Sequence, residues 1–500
     1  MLPLLTRTLF CLALLLPVFL PAQSSFVKEI SAVDYTYGKD FLVAPDGGYY
    51  LLLQAHPTSG AEWGPVLLRL DAQGNELWQR KYVAQSSQYE SIDEMRFDAH
   101  GNIVMTGTFN RVIKVDSLGN QIWSVEVPGV GTGDYRVEGM AIADNGDIAM
   151  GLHYFSDKPR VLVIDSNGVG SWIRSYTIPT TSQYAEDLDA LPDGGYLMTT
   201  ETGYLMRIDS AANGAWASSY YPNQGLEMQS TLLEADGKFT TVGALGGSNG
   251  LQHIALYRTN SDGSFGWARL YETSEEMRGE DITPTSDGGY LIAGTYQDRK
   301  VFLMKVDSTG APVWNTFTDQ LPVNRIKRVI STADGGCAVI GFDLDANGNA
   351  FFLKMDVDGR NDCLDDSLTV TYNASPTVNH SLNFLPSNTN LQLNIGPVTF
   401  TEPNLTVTMT GVCEPVALED GLDLQLQVCP NPNQGAFKIS GEWPGTDPVA
   451  MYLFDVQGRK VWEASSPDGK TELDLQLEPG LYILRAVQGE QVQTKRVMVQ

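Results

Sequence analysis

The sequence predicts an all-β protein whose largest part is a seven-bladed β-propeller. Two short sequence elements recur together roughly every 48 residues between residues 40 and 363, and each copy has room for four strands. Glycine is abundant, with 49 residues in 500, as expected for a chain with many tight turns. No segment of this region has the apolar period of a helix, so the repeats predict strands.

The first repeated element is an Asp-Gly-Gly turn that precedes an apolar strand. Clear copies begin at Asp46, Asp193, Asp287 and Asp334, and looser copies begin at Asp98, Asp144 and Asp236. An Asp at the first position and a Gly at the fourth favour a type I turn followed by a left-handed residue, which joins two antiparallel strands. The seven copies therefore predict seven hairpins.

The second repeated element is Asp-x-x-Gly, with a tryptophan four residues after the glycine. It resembles the tryptophan-docking repeat of quinoprotein dehydrogenases, in which such tryptophans pack between blades. The resemblance implies this role for Trp78, Trp123, Trp172, Trp216, Trp267 and Trp314. The fourth copy shows a shift of one residue between Asp209 and Trp216, and in the seventh copy Cys363 replaces the tryptophan. Seven units, where that family has eight, and the lack of an adjacent cysteine pair do not support a cofactor role.

Each unit is predicted to contain four strands, which is the architecture of one propeller blade. In the sixth unit the predicted strands are residues 282–285, 290–295, 302–306 and 313–317. The seventh unit lacks a convincing fourth strand, whereas an unassigned strand, Phe26–Ile30, precedes the first unit. We expect Phe26–Ile30 to complete the last blade and cover its edge, so that the propeller extends over residues 26–363. A β-sandwich array is the alternative.

Residues 1–22 have the features of a secretory signal peptide. Arg7 precedes an apolar run, Leu9–Leu20, and the small residue Ala22 follows. The run is short for a bilayer span and prolines interrupt it, although a membrane anchor is the alternative. The formal net charge of −27 argues against nucleic acid and anionic membranes as partners, because both attract positive surfaces.

Residues 424–500 are predicted to form a separate module, and alternating apolar residues indicate a small immunoglobulin-like β-sandwich. Its motif residues are Pro430, Asn431, Pro432, Gly435, Asp455, Gly458, Arg459, Gly480, Tyr482 and Lys495. This module resembles the type A C-terminal sorting domain of the type IX secretion system of Bacteroidetes, apart from Cys429, where an aromatic residue is common. The resemblance implies passage through the periplasm, recognition by the type IX secretion machinery and a secreted or outer-surface location. An ordinary adhesion module is the alternative.

The segment between these parts, residues 364–416, is rich in Thr, Asn and Ser. Alternation over residues 391–395 and 405–409 predicts short strands, so the segment is either a small β spacer or an extended linker. Four cysteines remain after signal removal, and they allow three full pairings. We expect a disulfide between Cys363 and Cys413, because each lies at one edge of this segment.

Loops on one face of the propeller are candidate ligand contacts, because variable loops on a rigid scaffold usually carry the binding residues. The candidates are His56, Trp63, Phe109, Arg111, Tyr154, Phe155, Tyr296 and Arg299. Aromatic side chains with polar neighbours suit contacts with sugars or peptides. The alternative is that these side chains pack between blades.

The innermost strand of each blade should line a central channel, and acidic residues recur near its mouth. The candidates are Asp40, Glu90, Glu138, Glu186, Glu227 and Glu280, with Asp187 and Asp281 as neighbours. In the seventh unit Lys327 and Arg328 take this place, so an acidic ring with one basic gap is predicted. Such a ring could hold a cation or a cationic ligand. The alternative is a repeated structural hydrogen bond from each carboxylate to the backbone.

No metal or cofactor is assigned, although calcium stays open at one loop. Residues 343–348 resemble the start of a calcium loop, but its twelfth position is Lys354 where a bidentate Glu is needed. Motifs of serine hydrolases, zinc proteases and phosphate-binding loops are not found.

The sequence therefore favours an exported binding or interaction protein over an enzyme, with a polysaccharide or a protein as ligand. A glycoside hydrolase or lyase that uses channel-mouth carboxylates is one alternative. A purely structural surface component is the other. The ligand, cleavage of the sorting domain and the oligomeric state are left open.

Overall fold

The structure is a computed structural model of the 500-residue chain. It describes residues 25–32, 35–56, 64–84, 91–107, 111–126, 136–153, 158–178, 185–220, 226–246, 250–297, 300–317, 325–343, 348–361, 370–374, 380–384, 387–390, 396–397, 400–401, 407–411, 427–429, 435–440, 448–455, 459–467, 470–475, 477, 480–488 and 491–499. The predicted signal peptide lies outside these ranges. Within them, no helix is long and apolar enough to cross a membrane.

The chain divides into two compact units, residues 1–413 and 414–500. The strands of the first unit up to residue 355 are β1 (Phe26–Ser31), β2 (Tyr35–Val43), β3 (Tyr49–His56), β4 (Gly64–Leu70), β5 (Glu76–Lys81), β6 (Val83–Ala84), β7 (Ile92–Phe97), β8 (Ile103–Gly107), β9 (Arg111–Val115), β10 (Gln121–Glu126), β11 (Arg136–Ile142), β12 (Ile148–His153), β13 (Arg160–Ile164), β14 (Gly170–Thr177), β15 (Ala185–Ala190), β16 (Tyr196–Thr200), β17 (Tyr204–Ile208), β18 (Gly214–Tyr220), β19 (Leu226–Leu233), β20 (Phe239–Gly246), β21 (Gln252–Thr259), β22 (Phe265–Glu272), β23 (Met277–Pro284), β24 (Tyr290–Tyr296), β25 (Lys300–Val306), β26 (Pro312–Phe317), β27 (Arg325–Ser331), β28 (Cys337–Phe342) and β29 (Ala350–Met355).

These strands form the seven antiparallel blades that the repeats predict, and the propeller fold is confirmed. Blades 1 to 6 are β2–β5, β7–β10, β11–β14, β15–β18, β19–β22 and β23–β26, and blade 7 is β27–β29 with β1. In blade 7 the N-terminal strand pairs with β29, with Phe26 opposite Lys354 and Ile30 opposite Ala350. The first strand of the chain thus closes the ring, as expected.

At five of the seven blade interfaces, an aromatic side chain of the outer strand lies on a turn glycine of the next blade. A Cβ atom on Gly119 of blade 2 would lie 3.0 Å from the indole of Trp78 in blade 1, and one on Gly168 of blade 3 would lie 3.3 Å from Trp123. In blade 7, Phe26 takes the place of the tryptophan, 2.7 Å from a Cβ on Gly74 of blade 1. Glycine is therefore needed at these positions for two reasons: a Cβ would clash with the ring of the preceding blade, and the backbone has a positive φ.

The fourth copy departs from this pattern in a way the sequence analysis misjudged. The spacing of the repeat is regular, and Ala212 occupies the glycine position with φ of +62°. The shift assigned between Asp209 and Trp216 is therefore wrong. Trp172 of blade 3 packs edge-on against Tyr196 in this blade, with ring centroids 6.1 Å apart.

The described residues between 371 and 411 form short strands along the outer edges of the blades, and these strands are called the belt. Its strands are β30 (Thr371–Asn373), β31 (His380–Phe384), β32 (Ser387–Asn390), β33 (Gly396–Pro397), β34 (Phe400–Thr401) and β35 (Thr408–Gly411). They pair in turn with β22 of blade 5, β18 of blade 4, β14 of blade 3, β10 of blade 2, β6 beside blade 1 and β1 of blade 7. The described part of the expected spacer thus adds fifth strands to blades instead of forming a module of its own.

The belt is held at blade 1 by a side chain that replaces a backbone partner. The amide oxygen of Gln79 accepts a hydrogen bond from the Val407 N–H at 2.7 Å, and its amide nitrogen donates to the Val407 carbonyl at 3.3 Å. At blade 5, Tyr372 of the belt stacks on Tyr271, with ring centroids 5.7 Å apart. Cys363 and Cys413 lie outside the described residues, and their disulfide stays a prediction.

The second unit contains two sheets with an apolar core between them. Its strands are β36 (Gln427–Cys429), β37 (Ala436–Ser440), β38 (Val449–Asp455), β39 (Lys460–Ser466), β40 (Thr471–Asp474), β41 (Gly480–Gln488) and β42 (Gln491–Val499). The sheet orders are β36-β37-β40 and β39-β38-β41-β42. Phe437, Leu453, Leu484 and Val497 are among the side chains buried in the core, as expected for a small β-sandwich.

We predict that Gly119→Ala destabilises the propeller more than Gly101→Ala. Both glycines lie in blade 2 with φ near +80°, so both alanines carry a similar left-handed strain of about 1 kcal/mol. Only the alanine at Gly119 meets Trp78, whereas a Cβ at Gly101 has no atom within 4 Å. Urea unfolding should show the difference, about 1–3 kcal/mol, as the cost of the inter-blade clash. Equal destabilisation by both substitutions would contradict the packing role of the tryptophan.

Candidate functional site

The central channel is lined by one bulged residue from the innermost strand of each blade. The pairing register of that strand shifts at the same place in all seven blades. A bulge inserts one extra residue into one strand and re-aims its side chain. The inserted residues are Lys39, Asp93, Glu138, Glu186, Gln229, Glu280 and Lys327, and all seven line the channel cavity.

This cavity has a volume of about 520 Å³ and a strongly charged lining. Such a volume lies within the range of small-ligand pockets. The lining carboxylates are Asp40, Asp93, Glu94, Glu138, Glu186, Asp187, Asp189, Glu227, Glu280 and Asp281. The lining cations are Lys39, Arg96, Arg278, Arg325, Lys327 and Arg328.

Negative and positive side chains are unevenly distributed around the channel. Among the described lining residues, the charged side chains from blades 3 to 5 are all carboxylates, namely Glu138, Glu186, Asp187, Asp189 and Glu227. The other four blades contribute the remaining carboxylates together with all six cations. The cavity therefore has an acidic half, formed by blades 3 to 5, and a half in which opposite charges are mixed.

Several aspartates of the lining have a structural role, as the sequence analysis considered. Asp40, Asp187 and Asp281 each accept a hydrogen bond from a backbone N–H of the next blade. The donors are Met95 at 2.8 Å, Thr231 at 2.8 Å and Val329 at 2.7 Å. Glu280 accepts in the same way from the N–H of Ile326 at 2.8 Å. These carboxylates join neighbouring inner strands, and their hydrogen bonds offset part of the cost of burial.

The predicted single basic gap is wrong, because cations enter the lining from four blades. Asp40 lies between Arg96 of blade 2, at 3.0 Å, and Arg328 of blade 7, at 3.3 Å. Lys39 contacts Asp93 at 2.6 Å. Arg96 and Arg278 were not predicted, because they lie close to acids on the same strands, where the pattern of acids was followed.

Glu186 is the carboxyl group of the acidic half that is least satisfied. Neither Glu186 nor Asp189 has a hydrogen bond or an ion pair within the described part of the chain. Burial, followed by the nearby carboxylates of Glu138 and Glu201, raises the pKa of Glu186 to about 8. Burial and Asp187 also raise the pKa of Asp189 well above its usual value. Glu186 therefore keeps its proton at neutral pH, and the environment of Asp189 favours its protonated form.

The raised pKa of Lys327 shows that this cavity stabilises a positive charge. Burial opposes protonation of its amine, but Glu138, Asp93, Glu280 and Glu186 together raise the pKa of Lys327 above its usual value. No carboxylate of the described residues lies within ion-pair distance of its ammonium group, and the side chain is accessible to water. The field of the cavity thus favours an ammonium ion even without a direct contact.

Five of the six predicted channel-mouth acids line the cavity, namely Asp40, Glu138, Glu186, Glu227 and Glu280. Glu90 lies outside the described residues. The sequence analysis missed Asp93, Glu94 and Asp189. The signal for them was present in the two-residue alternation of the inner strands, but the bulge changes the register within each strand and hides it.

The predicted loop-face site is not assembled among the described side chains. Arg111 is buried and pairs with Glu126 at 3.2 Å, and Tyr296 is buried against Phe317 with ring centroids 5.5 Å apart. Both side chains pack within their blades, so these two residues are not available as ligand contacts. The side chains of His56, Trp63, Phe109, Tyr154, Phe155 and Arg299 lie outside the described part.

The remaining predicted site residues concern metal binding and sorting. No group of three or more metal-binding side chains occurs among the described residues, and residues 344–347 of the candidate calcium loop lie outside them. In the sorting module, Gly435, Asp455, Arg459, Gly480, Tyr482 and Lys495 are described, whereas Pro430, Asn431, Pro432 and Gly458 are not.

The fold and the channel define a β-propeller with a charged central cavity, followed by a small β-sandwich. Residues 427–500 match the secretion system C-terminal sorting domain. The chain therefore carries a type IX sorting domain, which implies handling by that secretion machinery and export to the cell surface or the medium.

Comparison with whole proteins adds little more. A search of curated protein sequences found no match. Among solved structures, the chain is similar to YCF48 bound to D1 peptide, at 14% identity and a TM-score of 0.36, covering 56% of this chain and 96% of that one. It is also similar to PorZ, a surface component of the type-IX secretion system of Porphyromonas gingivalis, at 11% identity and a TM-score of 0.26, covering 93% and 81%.

We predict that Glu186→Gln stabilises the propeller at alkaline pH. Because the pKa of Glu186 is raised to about 8, the folded state binds this proton more tightly than the unfolded state, and stability falls as the pH rises from about 4.5 to 8. Glutamine cannot ionise and removes that loss. Thermal unfolding should show little difference at pH 4.5 and a gain of at least about 1 kcal/mol at pH 9.

Glu76→Gln is the matched control, since Glu76 is an exposed carboxylate on the outer strand of blade 1. A gain for Glu186→Gln that does not depend on pH would contradict the raised pKa of this group.

Proposed function

We propose that this exported protein binds a cationic group of a protein ligand in the channel of its propeller. The observation that carries the proposal is the acidic half of the cavity, where blades 3 to 5 present five carboxylates and no cation among the described residues. Type IX delivery, implied by the sorting domain, would place the channel outside the cell or on its surface.

Proton release gives the site a way to bind. Glu186 and Asp189 are raised in pKa because burial and neighbouring carboxylates disfavour their charged forms. An incoming ammonium or guanidinium group supplies the missing positive charge, so the carboxyl groups ionise as the ligand binds. Binding is then coupled to the loss of protons and becomes tighter as the pH rises toward 8.

The size of the cavity limits what can enter. A volume of about 520 Å³ admits a lysine or arginine side chain with part of its backbone. A protein ligand fits this geometry better than a neutral polysaccharide, because the lining is dominated by carboxylates. The polysaccharide hypothesis depended on loop aromatics, of which Tyr296 is buried in its blade.

A second candidate function is glycoside hydrolysis. The supporting observation is that Glu186, with a pKa near 8, lies in the field of Glu138, which offers a protonated acid next to a second carboxylate. Depolymerisation of a polysaccharide by the purified protein, lost in Glu186→Gln, would favour this function over binding alone.

The binding proposal predicts a pH-dependent interaction with a lysine peptide. Isothermal titration of the full chain with acetyl-pentalysine amide at low salt should give an affinity that rises several-fold from pH 6 to pH 8.5. The double variant Glu186→Gln/Asp189→Asn should bind at least tenfold more weakly, about 1.4 kcal/mol, and lose most of this pH dependence.

The matched control is again Glu76→Gln, which removes a carboxylate from the surface. The same loss of affinity in the control and the channel variant would mean that the peptide binds the acidic surface in general. Pentaglutamate, which carries the opposite charge, should not bind. A wild-type protein that does not bind pentalysine at 50 mM salt would contradict the proposal.

A further inference from the structure

The two sheets of the sorting unit present outer faces of different character. On the three-stranded sheet, the outward side chains of β37 and β40 are polar. Lys438 pairs with Glu472 at 2.5 Å, and the two side chains are 68% and 73% exposed. Asp474 is also exposed there. This face is an ordinary solvated surface.

The four-stranded sheet carries an apolar stripe on its outer face. Alternation buries Met451 and Leu453 in the core and turns Tyr452 and Phe454 outward, where both are only half-buried. On the neighbouring strand β41, Ile483 lies opposite Phe454 in register, so the apolar stripe continues across the sheet. The rings of Tyr452 and Phe454 are 6.3 Å apart.

Charged residues flank the stripe. Arg485 is exposed and lies opposite Tyr452 in register. On the other side, Lys460 lies opposite Phe454, with its ammonium group 5.5 Å from the centroid of the Tyr452 ring, and it forms an ion pair with Glu463, which lies opposite Tyr452. Aromatic residues and arginine are enriched in protein interfaces, and here they stand out on a chain with a net charge of −27.

We propose that the outer face of this sheet, formed by Tyr452, Phe454, Ile483, Arg485 and Lys460, is the surface by which the secretion machinery recognises the chain. The unit matches a secretion sorting domain, so it must present a recognition surface to that machinery. The partner surface should be apolar at its centre and carry a carboxylate opposite Arg485. A second copy of this chain fits less well, because this face carries no exposed carboxylate among its described residues other than Glu463, which is already paired with Lys460.

The test is export of full-length variants in a bacterium with a type IX secretion system. The double variant Tyr452→Ser/Phe454→Ser should reach the cell surface or medium at least tenfold less than the wild type and accumulate, folded, in the periplasm. The charge reversal Arg485→Glu should lower export several-fold. The matched control is Lys438→Ser/Glu472→Ser on the opposite sheet, which should be exported normally.

Folding of each purified variant is checked by thermal unfolding, so that lost export is not mistaken for misfolding. If the double serine variant does not fold, Arg485→Glu decides, because an exposed side chain can be changed with little effect on stability. Normal export of Arg485→Glu would then overturn the proposal, as would normal export of a folded double variant. An equal loss of export in the control would also overturn it. So would a lower unfolding temperature of the propeller in the variants, because the face would then stabilise the chain itself. Dissociation of a dimer by the variants would overturn it too, because the face would then bind a second copy.

Discussion

The contact between an aromatic ring on one blade and a turn glycine on the next sets the geometry of the propeller. A strand that ends on a flat indole can approach its neighbour closely only where the neighbour has no Cβ, as Gly119 has none under Trp78. The same turn is anchored by the hydroxyl of Tyr82, which donates to the Gly119 carbonyl at 2.6 Å. Repeated around the ring, this contact fixes the blade spacing and therefore the width of the channel.

Closure of the propeller ring depends on the same contact between a ring and a glycine, with a phenylalanine in place of the tryptophan. Phe26 supplies the ring that the seventh repeat lacks, and its strand lies between β29 and β35. Strand β1 thus lies between two strands that come much later in the sequence. The belt then pairs with the outer strands of most blades, which protects edges that would otherwise invite pairing with other chains. A segment of Thr, Asn and Ser suits this role because backbone hydrogen bonds hold it and no large apolar face is needed.

The sequence predicted the blades well because each turn needs a residue type that is visible in the sequence. In blades 1, 2, 3, 5 and 6, the turn before the outer strand has a glycine at positive φ followed four residues later by a tryptophan, and in blade 4 Ala212 takes the glycine position. The belt was not predicted as part of the propeller, because short polar strands that pair only through backbone have no period to detect. The channel lining was predicted in part: Glu138, Glu186 and Glu280 are bulged residues, but Asp40 lies one residue after the bulge, and no sequence rule places a bulge at a single residue.

The channel also explains how a strongly acidic propeller tolerates so many buried carboxylates. Some are satisfied by backbone N–H groups of the next blade, as Asp187 is by Thr231, and some by the guanidinium groups of Arg96 and Arg328. Hydrogen bonds and ion pairs of this kind reduce the desolvation penalty of the carboxylates that form them. Those carboxylates lie in the mixed half of the cavity or join neighbouring inner strands. Glu186 and Asp189 have neither kind of partner among the described residues, and burial raises the pKa of both, which favours their protonated forms. A cation from outside could replace a proton there without changing the fold, so the proposed binding site coincides with the least satisfied part of the cavity.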